Sequence, residues 1–371
     1  MKSKQQHRKI IISGGGTGGH IFPAISIARA LLKIDDQIEI LFVGANGRME
    51  MERIPAAGFE IKGLPVSGFN RKLTINNVKV LMNLLKSIRG AKKILQGFKP
   101  DVVVGTGGYV SGPVLYAAGK RHIPTLIQEQ NSYPGITNKL LAKGASKICV
   151  AYQGLDKYFP AEKILLTGNP VREDLEVTTG KRDSGYKLFN LNPEKKTLLV
   201  LGGSLGARTI NQAIIEQIPN LNKSGIQVVW QCGKLYYESA KEALGKYQPD
   251  NIFLFDFISR MDLAYAISDL VISRAGAGTI SELCITGKPS ILVPSPNVSE
   301  DHQTKNAMAL VENDAAILVK DIEAESTLVA AALDLIIDDK ELGKYSGNIK
   351  KLAMHNSAGL IAGEVLKLCN N

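Results

Sequence analysis

A short, wholly apolar strand that runs straight into a glycine cluster is the feature that most limits what this chain can become. Residues 9–13, Lys-Ile-Ile-Ile-Ser, lead into Gly14-Gly15-Gly16-Thr17-Gly18-Gly19-His20, and the apolar pattern from Ile21 to Leu32 reads as a helix. A strand with apolar residues on both faces must be covered on both, which points to parallel strands joined by helices. Further strands are read at Ile38 to Val43, Asp101 to Gly105, Thr125 to Gln128, Lys147 to Ala151 and Lys163 to Thr167. The pattern then begins again. Thr197 to Leu201 is a strand, Gly202-Gly203-Ser204-Leu205-Gly206 a second glycine loop, and a helix follows from Ala207. Strands recur at Gln227 to Gln231, Ile252 to Leu254, Leu270 to Ser273, Ser290 to Val293 and Ala316 to Val319. The sequence therefore predicts an α/β protein of two Rossmann-like parallel-sheet domains facing across a cleft, with ligands at the carboxyl ends of the strands.

At 371 residues the chain is too long for one ordinary core. Glu173 to Lys196 is charged, carries Gly180, Gly185 and Pro193, and shows no sustained period, so the division is expected there. Residues 8–172 form the expected first domain and 173–354 the second. The final helix, read at Ala358 to Leu368 within 355–371, has no strand after it and is expected to pack back on the first domain.

Several classes fall away on composition. Cys149, Cys232, Cys284 and Cys369 are far apart and the five histidines are dispersed, so no metal site is readable. No apolar run approaches the roughly 20 residues needed to cross a bilayer, and the basic start, Met1 to Lys9, lacks the apolar stretch of a secretory signal. A cytoplasmic protein is expected. The net charge of +10 asks for an anionic partner: nucleic acid, a phosphate-rich substrate or an anionic membrane. Nucleic acid ranks last, because aromatic content is only 6% and no base-reading motif is present.

Gly14, Gly16 and Gly19 satisfy the dinucleotide pattern GxGxxG, yet the next strand ends Phe42-Val43-Gly44-Ala45-Asn46 without the acid that would hold an adenosine ribose. No Gly-Lys-Ser/Thr occurs in these loops either, so no nicotinamide or Walker-type cofactor is expected. What remains is the general mechanism, backbone N–H groups at a helix N-terminus cradling phosphate. A third loop, Thr106-Gly107-Gly108-Tyr109, strengthens it. One such loop only permits a tight turn; three at carboxyl strand ends suggest a site.

Seven motifs then occur in order: Gly15-Gly16-Thr17-Gly18-Gly19-His20, Thr106-Gly107-Gly108-Tyr109, Glu129-Gln130-Asn131, Gly168-Asn169-Pro170-Val171-Arg172, Gly202-Gly203-Ser204, the stretch Arg274 to Glu282, and Asp301-His302-Gln303-Thr304-Lys305-Asn306-Ala307. Together, from Ile10 to about Ala309, they closely resemble the MurG family. These are GT-B peptidoglycan N-acetylglucosaminyltransferases that convert lipid I to lipid II.

The resemblance implies UDP-N-acetylglucosamine as donor, held by the second domain, lipid I as acceptor, and no cofactor or metal. Glu282 is implied to accept hydrogen bonds from both ribose hydroxyls, a task suited to a carboxylate. In a first helical turn it would also complement the helix dipole. Ala277, Gly278 and Thr279 belong to the loop opening that helix toward the diphosphate. Ile258 resembles the backbone contact to uracil, Ser204 and Arg172 the diphosphate ligands, and Asn131 and Gln303 sugar contacts. Thr17, Gly18 and Gly19 line the edge facing the donor sugar. Gly15, Gly16, Gly107, Gly108 and Tyr109 suit the acceptor's own diphosphate. His20 is the implied catalytic base for the acceptor hydroxyl, since an imidazole titrates near the working pH; its plainer role would be to hold the loop. Direct attack on the sugar C1 would invert the linkage, and no Asp-x-Asp spacing suggests a metal. The alternative of the same fold is a soluble UDP-N-acetylglucosamine 2-epimerase, which needs no lipid-facing surface.

One segment argues against that alternative. Phe69 to Lys99 carries Arg71, Lys72, Lys79, Lys86, Arg89, Lys92, Lys93 and Lys99 and no acid. Ile75, Val78, Leu81, Met82, Leu85 and Ile88 recur at helical spacing, and Lys72, Lys79, Lys86 and Lys93 are seven apart. Much of that apolar face is expected in the core. The basic face predicts contact with an anionic membrane, placing the protein peripherally on the cytoplasmic face of the inner membrane.

Overall fold

A computed structural model describes residues 7–66, 76–175, 180–203, 205–298 and 301–370, with the side chains of 76–79 and 173 outside that description. The chain forms two compact units, one running to Arg172 and resuming at Asn356, the other spanning Glu173–His355.

In the first unit seven strands make one parallel sheet: β1 (Lys9–Gly14), β2 (Glu39–Ala45), β3 (Glu60–Leu64), β4 (Val102–Gly107), β5 (Thr125–Glu129), β6 (Lys147–Val150) and β7 (Ile164–Leu166), in the order β3-β2-β1-β4-β5-β6-β7. The alternation of side chains along β1 explains why it is apolar throughout. Ile10 and Ile12 face α1 (Gly18–Ile34) and the C-terminal helix Ser357–Cys369, while Ile11 lies in the core under the opposite helices. Those opposite helices include α3 (Asn76–Phe98), which contributes Ala91 and Leu95, and α4 (Ser111–Gly119), which contributes Val114 and Leu115. The C-terminal helix seats Ala358, Ile361, Ala362 and Val365 against Ile21, Ala24 and Ala28 of α1. Between α1 and α3 lies α2 (Glu50–Ala56), and α5 (Ile136–Leu141) follows β5.

The second unit repeats the plan with six parallel strands: β8 (Thr197–Leu201), β9 (Gln227–Gln231), β10 (Ile252–Phe255), β11 (Leu270–Ser273), β12 (Ser290–Leu292) and β13 (Ile317–Leu318), ordered β10-β9-β8-β11-β12-β13. In both sheets the first strand sits between the second and the fourth, so the order reverses there and the first glycine loop emerges at that point. Open α/β sheets bind ligands at this switch point.

Two parallel-sheet, Rossmann-like units are as expected, and three local differences have physical causes. β3, Glu-Ile-Lys-Gly-Leu, is a half-exposed edge strand, and its mixed composition hid it. α1 starts at Gly18, three residues before its apolar period becomes visible. The segment read as irregular, Glu173 to Lys196, contains the helix Lys181–Phe189. Its period is masked because Gly185 is one of the inward residues. A Cβ there would lie 2.5 Å from Ile267 Cγ2 and 2.9 Å from the Leu263 carbonyl oxygen. Among the described residues, no helix is long and apolar enough to cross a membrane.

Candidate active site

The first and third glycine loops meet at the switch point of the first sheet. Gly14 pairs with Gly107 across β1 and β4, and the Gly15 amide donates to the Gly107 carbonyl at 3.3 Å. Gly108, at φ +80°, presses so closely on Gly15 that a Cβ would stand 2.2 Å from its carbonyl oxygen. Gly107, at φ +103°, faces His20, and a Cβ would lie 2.7 Å from His20 Nδ1. These glycines are required by close approach as well as by positive φ. Tyr109 is exposed beside them.

His20 stands in the first turn of α1, for which Thr17 is the N-cap. Its Nδ1 is 2.9 Å from the Thr106 carbonyl oxygen and 3.0 Å from Gln130 Oε1. Gln130 in turn donates from Nε2 to the Thr106 carbonyl at 2.7 Å. The histidine therefore ties the helix to the β4 loop.

Two carboxylates to which the sequence alone assigns no role hold this ensemble. Glu50 is wholly buried, accepting from the Gly16 amide at 2.9 Å and the Ala45 amide at 3.0 Å. With the Gly15 amide given to Gly107, the amides of Gly15 and Gly16 are both engaged inside the protein. The first-turn amides of α1, at Gly18 and Gly19, are the ones that point along the helix axis. The acidic residue missing from the end of β2 thus arrives five positions after Ala45, turned under the glycine loop. Glu129, 1% exposed, accepts from Asn131 N and Nδ2 with one oxygen, and from Gly135 N and Asn138 Nδ2 with the other. It fixes the Asn131 side chain.

In the second unit the loops after β8 and β11 lie at the matching switch point. Gly203 and Gly206 hold φ of +75° and +99°; Ser204 between them lies outside the described residues. Gly276 caps the helix Ala277–Thr286, whose first turn carries Gly278 and Thr279. Glu282 is the sixth residue of that helix, so the dipole of the first turn does not account for it. Its Oε2 accepts from the hydroxyl of buried Tyr265 at 3.0 Å, which sets the orientation of the carboxylate. Ile258 is 4% exposed and its amide already donates to Gln231 Oε1 at 2.8 Å. Arg172, half-buried, is the last residue of the first unit before the chain crosses over.

Gln303 accepts the Ser295 amide at 2.9 Å and lines a polar cavity of about 650 Å³ with Gly206, Arg208, Thr209, Arg274 and Asp321. Arg274 donates to the Val293 and Pro294 carbonyls and pairs with Asp321, whose other oxygen accepts from Thr209. Asp321 carries no sequence signal, because its partner lies 47 residues away.

The basic segment departs from its expectation in an informative way. α3 runs unbroken through Gly90, but Leu81, Met82 and Leu85 are each about half exposed, and the buried face is Val80, Ser87, Ala91 and Leu95 instead. Lys86 and Lys93 are exposed. Phe69, Arg71, Lys72 and Ile75 lie outside the described residues, as do the side chains of Val78 and Lys79. Apolar Tyr116, Ile136 and Leu140 are exposed on α4 and α5, which pack in series beside α3.

Two parallel sheets with glycine turns at equivalent switch points, together with matches to both domains of one glycosyltransferase family, place the chain among the family 28 glycosyltransferases. Residues 10–150 match the glycosyltransferase family 28 N-terminal domain and residues 197–358 its C-terminal domain. The chain belongs to the MurG family within that class. It is 58% identical to the UDP-N-acetylglucosamine--N-acetylmuramyl-(pentapeptide) pyrophosphoryl-undecaprenol N-acetylglucosamine transferase of Parabacteroides distasonis, over 97% of this chain and 98% of that protein. It is 55% identical to the Bacteroides thetaiotaomicron enzyme of the same name, over 98% of each. Among solved structures, Acinetobacter baumannii MurG superposes with a TM-score of 0.75 at 26% identity, covering 97% of this chain and 99% of that one.

Proposed function

We propose that the protein transfers N-acetylglucosamine from UDP-N-acetylglucosamine to undecaprenyl-diphospho-N-acetylmuramoyl-pentapeptide, lipid I, giving lipid II with inversion at C1. The carrying observation is near-full-length identity of 50–58% to enzymes named for this transfer, and it favours the transferase over the epimerase reading.

The donor is assigned to the second unit. Glu282, oriented by Tyr265, accepts from the ribose hydroxyls, and the Ile258 carbonyl meets the uracil. Ser204, Arg172 and the first turn at Ala277, Gly278 and Thr279 receive the diphosphate; Gln303 and Asn131 hold the sugar, with Thr17, Gly18 and Gly19 along its edge. The acceptor is assigned to the first unit, with its diphosphate beside the loops that Gly15, Gly16, Gly107, Gly108 and Tyr109 form, the Gly15 and Gly16 amides themselves being turned inward to Gly107 and Glu50. His20 removes the proton from the acceptor hydroxyl as its oxygen attacks C1. The C1–O bond to the diphosphate breaks with its electron pair, and UDP leaves as an anion stabilised by Arg172 and helix-terminal amides. No cofactor takes part.

The acceptor's lipid tail requires a membrane. The basic α3 segment, with exposed Leu81, Met82 and Leu85, suits an anionic bilayer surface and supports a peripheral position on the cytoplasmic face of the inner membrane. A coupled UDP-release assay with UDP-N-acetylglucosamine and a short-chain lipid I analogue tests the function. UDP release that needs both substrates is expected; release with the donor alone, or none with both, overturns it.

A further inference from the structure

The side chains of Gln130, Gln128 and Asn169 form a closed, buried amide chain that ends on His20. They are 2%, 0% and 3% exposed. Asn169 Nδ2 donates to the Gln130 backbone carbonyl at 3.0 Å, and its Oδ1 accepts from Gln128 Nε2 at 3.1 Å. Gln128 Oε1 accepts from Gln130 Nε2, which also donates to the Thr106 carbonyl at 2.7 Å. Gln130 Oε1 is then the end that meets His20 Nδ1, at 3.0 Å.

The direction of this chain is forced. Rotating the Gln130 amide by half a turn would set its oxygen against three acceptors, the Thr106 carbonyl, the Gln128 carbonyl and Gln128 Oε1, in a buried space where an unmatched polar group is costly. With Gln130 fixed, both partners of His20 Nδ1, Gln130 Oε1 and the Thr106 carbonyl, are acceptors only. Nδ1 must carry the hydrogen, and the basic lone pair falls on Nε2. The same two acceptors remain matched when Nε2 takes a proton.

We propose that Gln130, backed by Gln128 and Asn169, is a positioning residue that holds His20 in the Nδ1–H tautomer with Nε2 as the proton-accepting atom. The proposal rests on the reading of His20 as the base for transfer, although the tautomer itself can be measured without turnover.

The test is ¹⁵N spectroscopy of the full-length protein labelled at histidine, whose five histidines are distinguished by comparison with His20→Ala. In the neutral wild type the His20 signals should report a protonated Nδ1 and an unprotonated Nε2. Gln130→Met, of similar size but without the acceptor, leaves Nδ1 only the Thr106 carbonyl, so it should raise the share of the other tautomer, with Nδ1–H still the majority form, and lower kcat roughly tenfold, or about 1.4 kcal/mol, with UDP affinity unchanged. A wild type with Nε2 protonated overturns the proposal, as does a Gln130→Met protein with unaltered signals and kcat. Should Gln130→Met not fold, the wild-type spectrum decides alone. If His20→Ala keeps full kcat while the Nδ1–H signal is present, the reading of His20 as base fails and the tautomer assignment stands. The converse pattern separates the two in the other direction.

Discussion

The Glu50 carboxylate lies directly beneath Gly15, so close that a Cβ on the glycine would stand 2.0 Å from Glu50 Oε1, and its other oxygen takes the Gly16 amide. The first glycine loop therefore rests on a buried negative charge that uses its hydrogen bonds to shape the turn. Glu50→Gln would put an amide N–H against one of two backbone N–H donors. Such a mismatch of a buried charge-assisted bond costs about 1.5–3 kcal/mol. Chemical denaturation should show that loss, and kcat should fall while UDP binding by calorimetry stays unchanged. Full stability in the variant would show that the carboxylate does not support the loop.

Glu282→Ala should weaken UDP binding about 10- to 100-fold, the loss of a charge-assisted acceptor, and leave the acceptor KM nearly untouched. Tyr265→Phe should produce a smaller loss in the same direction, since the hydroxyl at 3.0 Å only orients the carboxylate. Unaltered UDP affinity in Glu282→Ala would remove the uridine from this helix.

Removing the imidazole at position 20 should lower kcat by about 10²–10⁴, the usual contribution of a general base, with little change in UDP affinity. A His20→Ala enzyme with normal kcat and only a raised acceptor KM would reduce the residue to positioning. EDTA is expected to leave wild-type turnover intact, and a strict metal requirement would overturn the mechanism.

Changing Lys72, Lys79, Lys86 and Lys93 together to Glu should abolish sedimentation with anionic vesicles. Each basic residue near such a surface contributes about 1 kcal/mol, and added salt should release the wild type. UDP affinity should not change. Equal vesicle binding by wild type and variant would sink the membrane role of α3.

Lys288 gives a pH signature of the second unit's stability. Burial pushes its ammonium down to about 8, with Arg182 and Lys350 acting in the same direction against Asp269, while Nζ donates to the Ser268 carbonyl. Between that value and the ordinary 10.5 the unfolded chain binds more protons than the folded one, so stability rises with pH across this window. The rise should be on the order of 3 kcal/mol and should vanish in Lys288→Met, as read from denaturation midpoints at pH 7.5 to 10.5, roughly the span of the shift.

The strands other than β3 were legible because buried parallel strands must be apolar on both faces, and Ile10, Ile11 and Ile12 can hardly do anything else. The glycine loops were legible because close backbone approach excludes side chains, as Gly107 against His20 shows. Residues whose importance lies in a partner distant in sequence were not. Glu50 reads as an ordinary helical acid until Gly16 is seen above it, and Asp321 stays anonymous without Arg274. The exposed side of α3 was misjudged for a different reason. Leu81, Met82 and Leu85 have the spacing of a core face, and spacing cannot tell which face the core takes.

The C-terminal helix completes the hydrophobic core beneath α1, yet the ribosome makes it only after the whole second unit. The first unit must wait through that interval with Ile21, Ala24 and Ala28 uncovered, while the second, continuous in sequence, can finish first. The order of maturation then runs against the order of translation. A lesion in the last turns of the chain would strike the half of the protein that was synthesised earliest.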